Sequence, residues 1–580
     1  MYEKFLETIV EEKHAMFCKE TGMIQQHVNP WNGGSGGYHT RISGDLHNCT
    51  ENTQYANSVF HLRKEEYYDE AISCLKNIIK AQDTRPGSKT YGLWPYFVEE
   101  DCDHMIAPDY NMADFNGKCL AYILKKRRDC IDDETAALMT ESLMRAAECS
   151  IGRNVSPDYT NISLMSLNTI ILAGEISGNQ AFLERGKERL RKVHKYDMFC
   201  GSYSEYNSPA YTPLAIEELS MMIALFEDEE CRKMAEDLNY LAWDMLLKHY
   251  DKEMKQLAPP AMRSYGSFTG GIEEMLYLGT NGKYGYIDPE KPSYSAMLRI
   301  PPVCPEEIIE KYIKPERKNV FIDETFYKKN DIRTPDEDTV IVRNIDSPDL
   351  KAFTFLGDGY SMGAFEKTDM WTQRRSSMIY WGDENHKTSI RIRCINKDYD
   401  YCSGMVYTNQ FENVMLSHCG FVTDRGDFHY ILDKTKDGKL TTEKLFFKFE
   451  LEGDCENVKV TQDGGRFTIT DKGIKIDLNI TEAVFDGQPM ELFYNEKDKC
   501  IEAVCFDGER TIEFANLKSE CYMVFTLAVN ETVSAPVTIM EDDLLKSEIM
   551  VKGKTLKLYS PYIPVGFDSA IEKTKTEGRE

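Results

Sequence analysis

A change of period part-way along the chain limits what it can fold into more than any other feature. Up to about residue 280, apolar residues recur at helical spacing; from about residue 339 they alternate with polar ones. A helix buries a stripe and a strand buries a face, so the two periods in succession predict two units, helical first. Segment 65–82 places Tyr68, Ala71, Ile72, Leu75, Ile78 and Ile79 on one helical face. Segment 132–151 opens on Asp132 as an N-cap. Segment 156–178 opens on Ser156 and Pro157 and stops at Gly178. Segment 213–227 starts at Pro213 with Thr212 as cap, and 229–249 is a further long helix. The N-terminus reads as an amphipathic helix with Phe5, Ile9 and Val10 on one face. Between these segments lie loops rich in Gly, Pro, Asn and aromatic residues: 29–40, 83–96, 104–111, 200–211 and 258–271. Helical hairpins alternating with such loops predict a ring of antiparallel helices, and no clean repeat supports a solenoid.

Residues 281–338 include a stretch with six prolines and read as a linker. Beyond it come short alternating runs, 339–345, 351–357, 388–395, 444–451, 466–470, 474–480, 511–517 and 522–529, split by turns such as DGG and DKG. Strands of this kind predict a β-sandwich. The expected architecture is thus α+β and multidomain: an (α/α) toroid over 1–280, a linker over 281–338, and an antiparallel β-sandwich over 339–580.

The chain has 96 Asp and Glu against 69 Lys and Arg, a net charge of -27. That argues against nucleic acid and anionic membranes as partners, both of which need a basic surface. A small anion in a local basic cleft remains compatible, because charges beyond about 8 Å are screened. The first twenty residues lack a basic start followed by an apolar run, and no stretch is long and apolar enough to span a bilayer, so a cytoplasmic protein is expected. Seventeen cysteines, an odd number without a C-x-x-C pair, fit free thiols in a reducing compartment.

Five segments carry more chemistry than connection requires. WNGGSGGYHTRISGDLH (31–47) contains His39 and His47; a histidine can act as a base near neutral pH, although a lone one is more often structural. Its glycines lack the strand–turn–helix context of a phosphate loop. SKTYGLWPYF (88–97) and APDYNMADF (107–115) offer Tyr91, Trp94, Tyr96 and Tyr110 as stacking platforms for sugar faces, with an aromatic core as the alternative. Asp109, Asn111 and Asp114 can bond hydroxyls or cap a helix. RNVSPDYTNISLM (153–165) puts Arg153 beside, and Asn161 within, the first turns of a helix, where an amide donor suits a carboxylate. GSYSEYNSPAYTP (201–213) supplies Glu205, Asn207 and Tyr211, and PPAMRSYG (259–266) supplies Arg263 and Tyr265. A cation beside a phenol favours the phenolate and makes tyrosine a better base. In DMWTQRRSSMIYWGDENH (369–386), Arg374 and Arg375 are expected on opposite faces of a strand, one toward the toroid and one toward solvent, with Gln373, Trp371 and His386 nearby. G-x-S-x-G, H-E-x-x-H and EF-hand patterns are absent.

Taken together, RNVSPDYTNI, GSYSEYNSPAYTP, SKTYGLWPYF and WTQRR resemble segments of the heparinase II/III-like polysaccharide lyases, whose members combine an (α/α) toroid with a C-terminal β-sandwich. The resemblance implies β-elimination across a uronic acid. Asn161, with Arg263 or a sandwich arginine, would neutralise the carboxylate, and Tyr211 would act as acid/base. The partner base is open between Tyr265, His47, His39 and His386. His39, Tyr91, Trp94, Asp109, Asn111, Arg153, Glu205, Asn207, Arg263, Gln373, Arg374 and His386 would line the substrate. No cofactor is required, and a divalent metal is left unassigned. The expected partner is a uronate-containing oligosaccharide or polysaccharide. Two other functions compete: a glycoside hydrolase using Glu205 with Asp109 or Asp114, and a non-catalytic sugar-binding protein.

Overall fold

The computed structural model describes residues 2–29, 39–268, 270–288, 300–328, 349–429 and 439–579. The expected strand at 339–345 and most of the glycine loop after Trp31 lie outside the described residues.

The first part is helical: α1 (Tyr2–His14), α2 (Cys49–Leu62), α3 (Tyr68–Ala81), α4 (Asn111–Lys126), α5 (Asp133–Arg153), α6 (Thr160–Ser177), α7 (Gln180–Cys200), α8 (Tyr211–Leu225) and α9 (Glu229–Lys248). Two shorter helices follow, α10 (Ile272–Gly279) and α11 (Glu306–Tyr312). Consecutive members pack as hairpins, α2 on α3, α4 on α5, α6 on α7 and α8 on α9. The helices α2, α4, α6 and α8 also touch in succession, and α3 meets α5 as α7 meets α9. The result is an inner and an outer layer, an (α/α) toroid. The layering explains composition: α6, an inner helix, buries every residue from Thr160 to Gly174, whereas outer α3 shows a one-sided apolar stripe.

Helix ends follow local chemistry. Asp132 caps α5, its carboxylate accepting the Thr135 N–H at 2.7 Å, and Gly178 ends α6 at φ 70°. Two starts differ from expectation. The Tyr159 N–H is bonded to the Ser156 carbonyl at 3.1 Å, which closes a turn before the helix, so α6 begins at Thr160 rather than at Ser156–Pro157. Asn161 therefore sits in the first turn itself. Helix α8 begins at Tyr211, whose N–H donates to Ser208 Oγ at 3.0 Å; Thr212 is buried inside the helix and is not its cap.

In the second part every pair of named strands is antiparallel. One sheet runs in the order Glu491–Asn495, Cys500–Glu513, Lys439–Gly453, Lys387–Asn396, Ser377–Gly382, Tyr360–Phe365, Leu350–Leu356, Val320–Tyr327. The facing sheet runs Lys367–Asp369, Gly404–Phe411, Val414–Phe421, Cys521–Val529, Ile474–Phe485, Arg466–Asp471, Lys459–Asp463. Between them lies a core that includes Trp381, Phe421, Phe447, Phe485 and Phe525. A four-stranded sheet, Val537–Glu541 through Lys575–Glu577, packs outside. The edge strand Val320–Tyr327 comes from the stretch expected to be linker, so sheet pairing starts before residue 339. The DKG turn is a tight hairpin, with Lys472 and Gly473 at φ 48° and 80°.

A seam of backbone hydrogen bonds joins the two halves. Ala261 and Arg375 exchange backbone hydrogen bonds, Ala261 N–H to Arg375 O at 3.2 Å and Arg375 N–H to Ala261 O at 2.9 Å. Ser264 N–H donates to Gln373 O at 2.6 Å. Beside this seam Thr354 Oγ1 donates to Pro259 O at 2.6 Å, and a Cβ on Gly363 would stand 2.0 Å from that same oxygen. Glycine at 363 is what lets the toroid loop lie on the sheet.

Candidate active site

Three loops converge at the seam: 201–210 between α7 and α8, 258–266 after α9, and 371–376 from the sandwich. Ser208 ties them locally. Its hydroxyl donates to Arg263 O at 2.6 Å and accepts the Tyr211 N–H. Asn207, at φ 48°, donates to Ala258 O at 2.7 Å and to Pro260 O at 2.8 Å. It is 1% exposed, so it clamps the two loops together and does not face a ligand.

Arg263 is the centre of what these loops build. Its Nε donates to Gln373 Oε1 at 2.7 Å and its Nη1 to Glu205 Oε1 at 2.9 Å. The guanidinium carbon lies 4.2 Å from the centre of the Tyr211 ring, and 5.9 Å and 6.0 Å from the rings of Tyr159 and Trp371. The remaining nitrogen, Nη2, makes only a long contact, 3.5 Å, to the Tyr265 hydroxyl. Burial pulls the guanidinium pKa down, but Tyr211, Glu205 and Tyr265 together hold it above the ordinary arginine value. It is a permanent cation.

Glu205, 8% exposed, accepts from Arg263 and from Asn161 three times: from the backbone N–H at 2.9 Å and from Nδ2 at 2.8 and 2.7 Å. Asn161 and Arg263 thus form a carboxylate receptor, and the carboxylate it holds is Glu205. The expected open amide at the helix N-terminus is engaged, because Glu205 lies within reach of both its donors.

The Tyr211 and Tyr265 hydroxyls are hydrogen-bonded to each other. Tyr265 is 65% exposed, whereas Tyr211 is half-buried. Burial pushes the Tyr211 phenol above its usual pKa, and the Arg263 cation opposes that rise.

A polar arm extends from this centre. Arg153 Nη1 donates to Asn111 Oδ1 at 2.6 Å, and its guanidinium lies 6.0 Å from the Tyr159 ring, which Arg263 also approaches. Arg153, Tyr91, Tyr110 and Lys89 line a cavity of about 650 Å³. Farther along, His39 stacks on Tyr96 and bonds Ala107 O at 2.6 Å, and the Tyr96 hydroxyl donates to Asp109 at 3.0 Å.

Several expected residues are placed elsewhere. His47 is 5% exposed with both ring nitrogens occupied, one by Glu99 and one by Thr21 Oγ1 at 2.9 Å; it is locked between two turns and does not meet the tyrosine pair. Trp94 is 0% exposed and donates to Ile78 O at 3.0 Å, so it is a core residue without a free face for a sugar. His386 lies on an exposed turn beside Asp383 and lines a different cavity with Asp358 and Lys472. The two arginines of the WTQRR segment are not on a strand; residues 371–376 form a turn, and both are buried. Arg374 pairs with Asp369 at 2.8 Å and supports Trp371 from 5.6 Å. Arg375 donates to Gly266 O and Thr372 O, and burial lowers its pKa to about 10. Neither meets solvent.

Sequence patterns did not single out Ser208, Tyr159 or His429. Ser208 looked like an ordinary loop serine, though its position three residues before Tyr211 is a capping signal. His429 stands edge-on to Trp371 at 6.2 Å, and is the histidine the fold brings to this side of the seam. Among the described residues no group of three or more His, Cys, Asp or Glu is arranged to hold a metal. No described helix is long and apolar enough to cross a membrane.

The model of a domain of unknown function, DUF8769, matches residues 34–272, which include Asn161, Glu205, Tyr211 and Arg263. No curated protein matches the chain. Among solved structures, heparinase III aligns over 91% of this chain and 84% of its own, at 11% identity and a TM-score of 0.46. A Streptomyces coelicolor A3 chondroitin AC lyase in complex with chondroitin sulphate aligns over 97% of this chain and 85% of its own, at 9% identity and a TM-score of 0.44.

Proposed function

We propose that the protein is a uronate lyase that cleaves an oligosaccharide by β-elimination at the Arg263–Tyr211–Tyr265 centre. The observation that supports this best is the position of Arg263. One cation stacks on a half-buried phenol, reaches a second phenol, and keeps one nitrogen without a short partner. A uronate carboxylate fits that nitrogen. Binding it there offsets charge where the enolate-like intermediate develops, which is what makes the adjacent C5 proton removable. Asn161 acts through Glu205: it fixes the carboxylate that fixes Arg263.

The two tyrosines supply the proton transfers. When one phenol loses its proton, the other donates a hydrogen bond to the phenolate, and Arg263 adds its charge. One takes the C5 proton and the other, or the same one in a syn geometry, protonates the glycosidic oxygen as the C4–O bond breaks. The cavity at Tyr91, Tyr110 and Arg153 accommodates a neighbouring sugar.

The hydrolase reading needs two carboxylates flanking the bond. Glu205 is enclosed by Asn161 and Arg263, Asp109 is bonded by Tyr96, and Asp114 is 0% exposed with burial raising its pKa to about 7. They do not form such a pair. The test is to incubate the protein with unsulfated uronate oligosaccharides and follow the ultraviolet absorbance of the C4–C5 double bond. Tyr211→Phe is expected to lower kcat about 10²- to 10⁴-fold. New reducing ends without the chromophore would sink the proposal.

A further inference from the structure

Two cavities differ in their relation to the tyrosine pair. The polar one just described holds Arg153, Lys89 and Glu148 and is not lined by either tyrosine. Tyr211 and Tyr265 border the second, of about 360 Å³, inside the helical ring. Three inner helices each turn one stripe toward it. Helix α4 contributes Phe115, Lys118, Cys119 and Tyr122, α8 contributes Leu214, Glu217 and Met221, and α2 contributes Thr50, Gln54 and Asn57. The spacings of three, four and seven residues are those of single helix faces. Met165 of α6 completes the wall.

This volume is at the lower end of the range for ligand sites and more than twice that of a cavity filled by benzene. Its wall is mainly apolar. Lys118, the cation on that wall, is bound to Glu218, whose other oxygen accepts from Asn168 at 2.8 Å. Lys118 is thereby neutralised in place. A sulfate entering here would lose its hydration without gaining a free counter-charge. An uncharged apolar group would replace water along a surface that already suits it.

Resting on the lyase reading of the same centre, we infer that the substrate carries an uncharged, apolar substituent about the size of an aromatic ring, seated in this cavity on the leaving-group side of the uronate. Both tyrosines of the reacting centre belong to the cavity wall, so whichever of them protonates the leaving oxygen, the group that leaves is the group the cavity receives. The substrate class is then unsulfated uronates with an apolar group on the 4-oxygen rather than sulfated chains.

The test needs no turnover. Calorimetry on the full chain compares methyl 4-O-benzyl-β-glucopyranosiduronate, methyl 4-O-methyl-β-glucopyranosiduronate and methyl 4-O-benzyl-β-glucopyranoside, which carry the variable group on the oxygen that leaves. The benzyl uronide is expected to bind at least tenfold more tightly than its 4-O-methyl counterpart, a difference of about 1.4 kcal/mol. Met221→Trp, or Leu214→Phe if the larger change prevents folding, is expected to erase that difference by filling the cavity. Equal affinities in the unaltered protein, or a preference that survives both substitutions, would overturn the inference. The glucoside separates the two ideas: if it binds as tightly as the benzyl uronide, the carboxylate site at Arg263 fails while the apolar cavity stands.

Discussion

Arg263 is held by side-chain bonds to Glu205 and Gln373, by stacking on Tyr211, and by its own carbonyl on Ser208. Glu205 and Ser208 come from one loop, Gln373 from a second and Arg263 itself from the third, so its position reports whether all three loops are in place. Its charge should also set the pH range of activity. Burial raises the Tyr211 pKa and Arg263 counters it, so at neutral pH the phenolate is scarce and grows with rising pH. If a phenolate is the base, kcat/KM should climb by up to about tenfold per unit between about pH 7 and about pH 9. Arg263→Gln removes the opposing cation, and its profile should lie lower and rise only at higher pH. A pH–rate profile of the two proteins checks this; superimposable limbs would separate the rate from the Tyr211–Arg263 pair. At this scale residue types were legible and partnerships were not. The motifs pointed to Asn161, Glu205, Tyr211 and Arg263, but not to the fact that Asn161 donates to Glu205. That bond joins residues 44 positions apart, and a local pattern carries no such information.

The helical elements show why local signals succeeded or failed. Asp132 marks a helix end because its carboxylate satisfies a terminal N–H, and Gly178 because it takes the left-handed conformation, φ 70°, without a side chain to clash. Ser156 and Pro157 carry the same signals, yet a turn intervenes and moves the start of α6 to Thr160. The loop bearing Glu205 is anchored by an element the sequence placed in a linker. Tyr206, fully buried, is bonded to His249 at 2.8 Å, and His249 lies 3.4 Å from Glu324 on the edge strand Val320–Tyr327. The Glu324 carboxyl is raised by burial, but His249 and Lys248 outweigh that and hold it down at about 2, so it stays charged. Tyr206→Phe removes one hydroxyl from this tie and leaves a buried partner short of a bond, at a cost of about 1–2 kcal/mol. Hydrogen exchange should quicken across 203–210, and kcat should fall a few-fold, because Glu205 is the next residue. Unchanged exchange would show that the sandwich does not steady the loop.

For the whole molecule, the order of helical and sheet units was legible because the period changes once. The seam was not, because nothing in the period of either half says that Ala261 will meet Arg375. The same scale sets how an anionic substrate arrives. The net charge is -27, while the cations at the site are few and Arg263 and Arg374 already face Glu205 and Asp369. Seen from beyond a Debye length, about 10 Å at 0.1 M salt, the protein is an anion approaching an anion. Salt should therefore help encounter rather than hinder it. For an unsulfated uronate oligosaccharide, kcat/KM is expected to rise about two- to fivefold between about 10 mM and about 150 mM salt, with kcat nearly constant. The gain should be larger for longer chains, which carry more charge into the same field. A basic cleft strong enough to steer polyanions would produce the opposite slope, kcat/KM falling as salt rises. That result would mean the local field at Arg263 and Arg153 outweighs the surface, and would return long charged polymers to the substrate range.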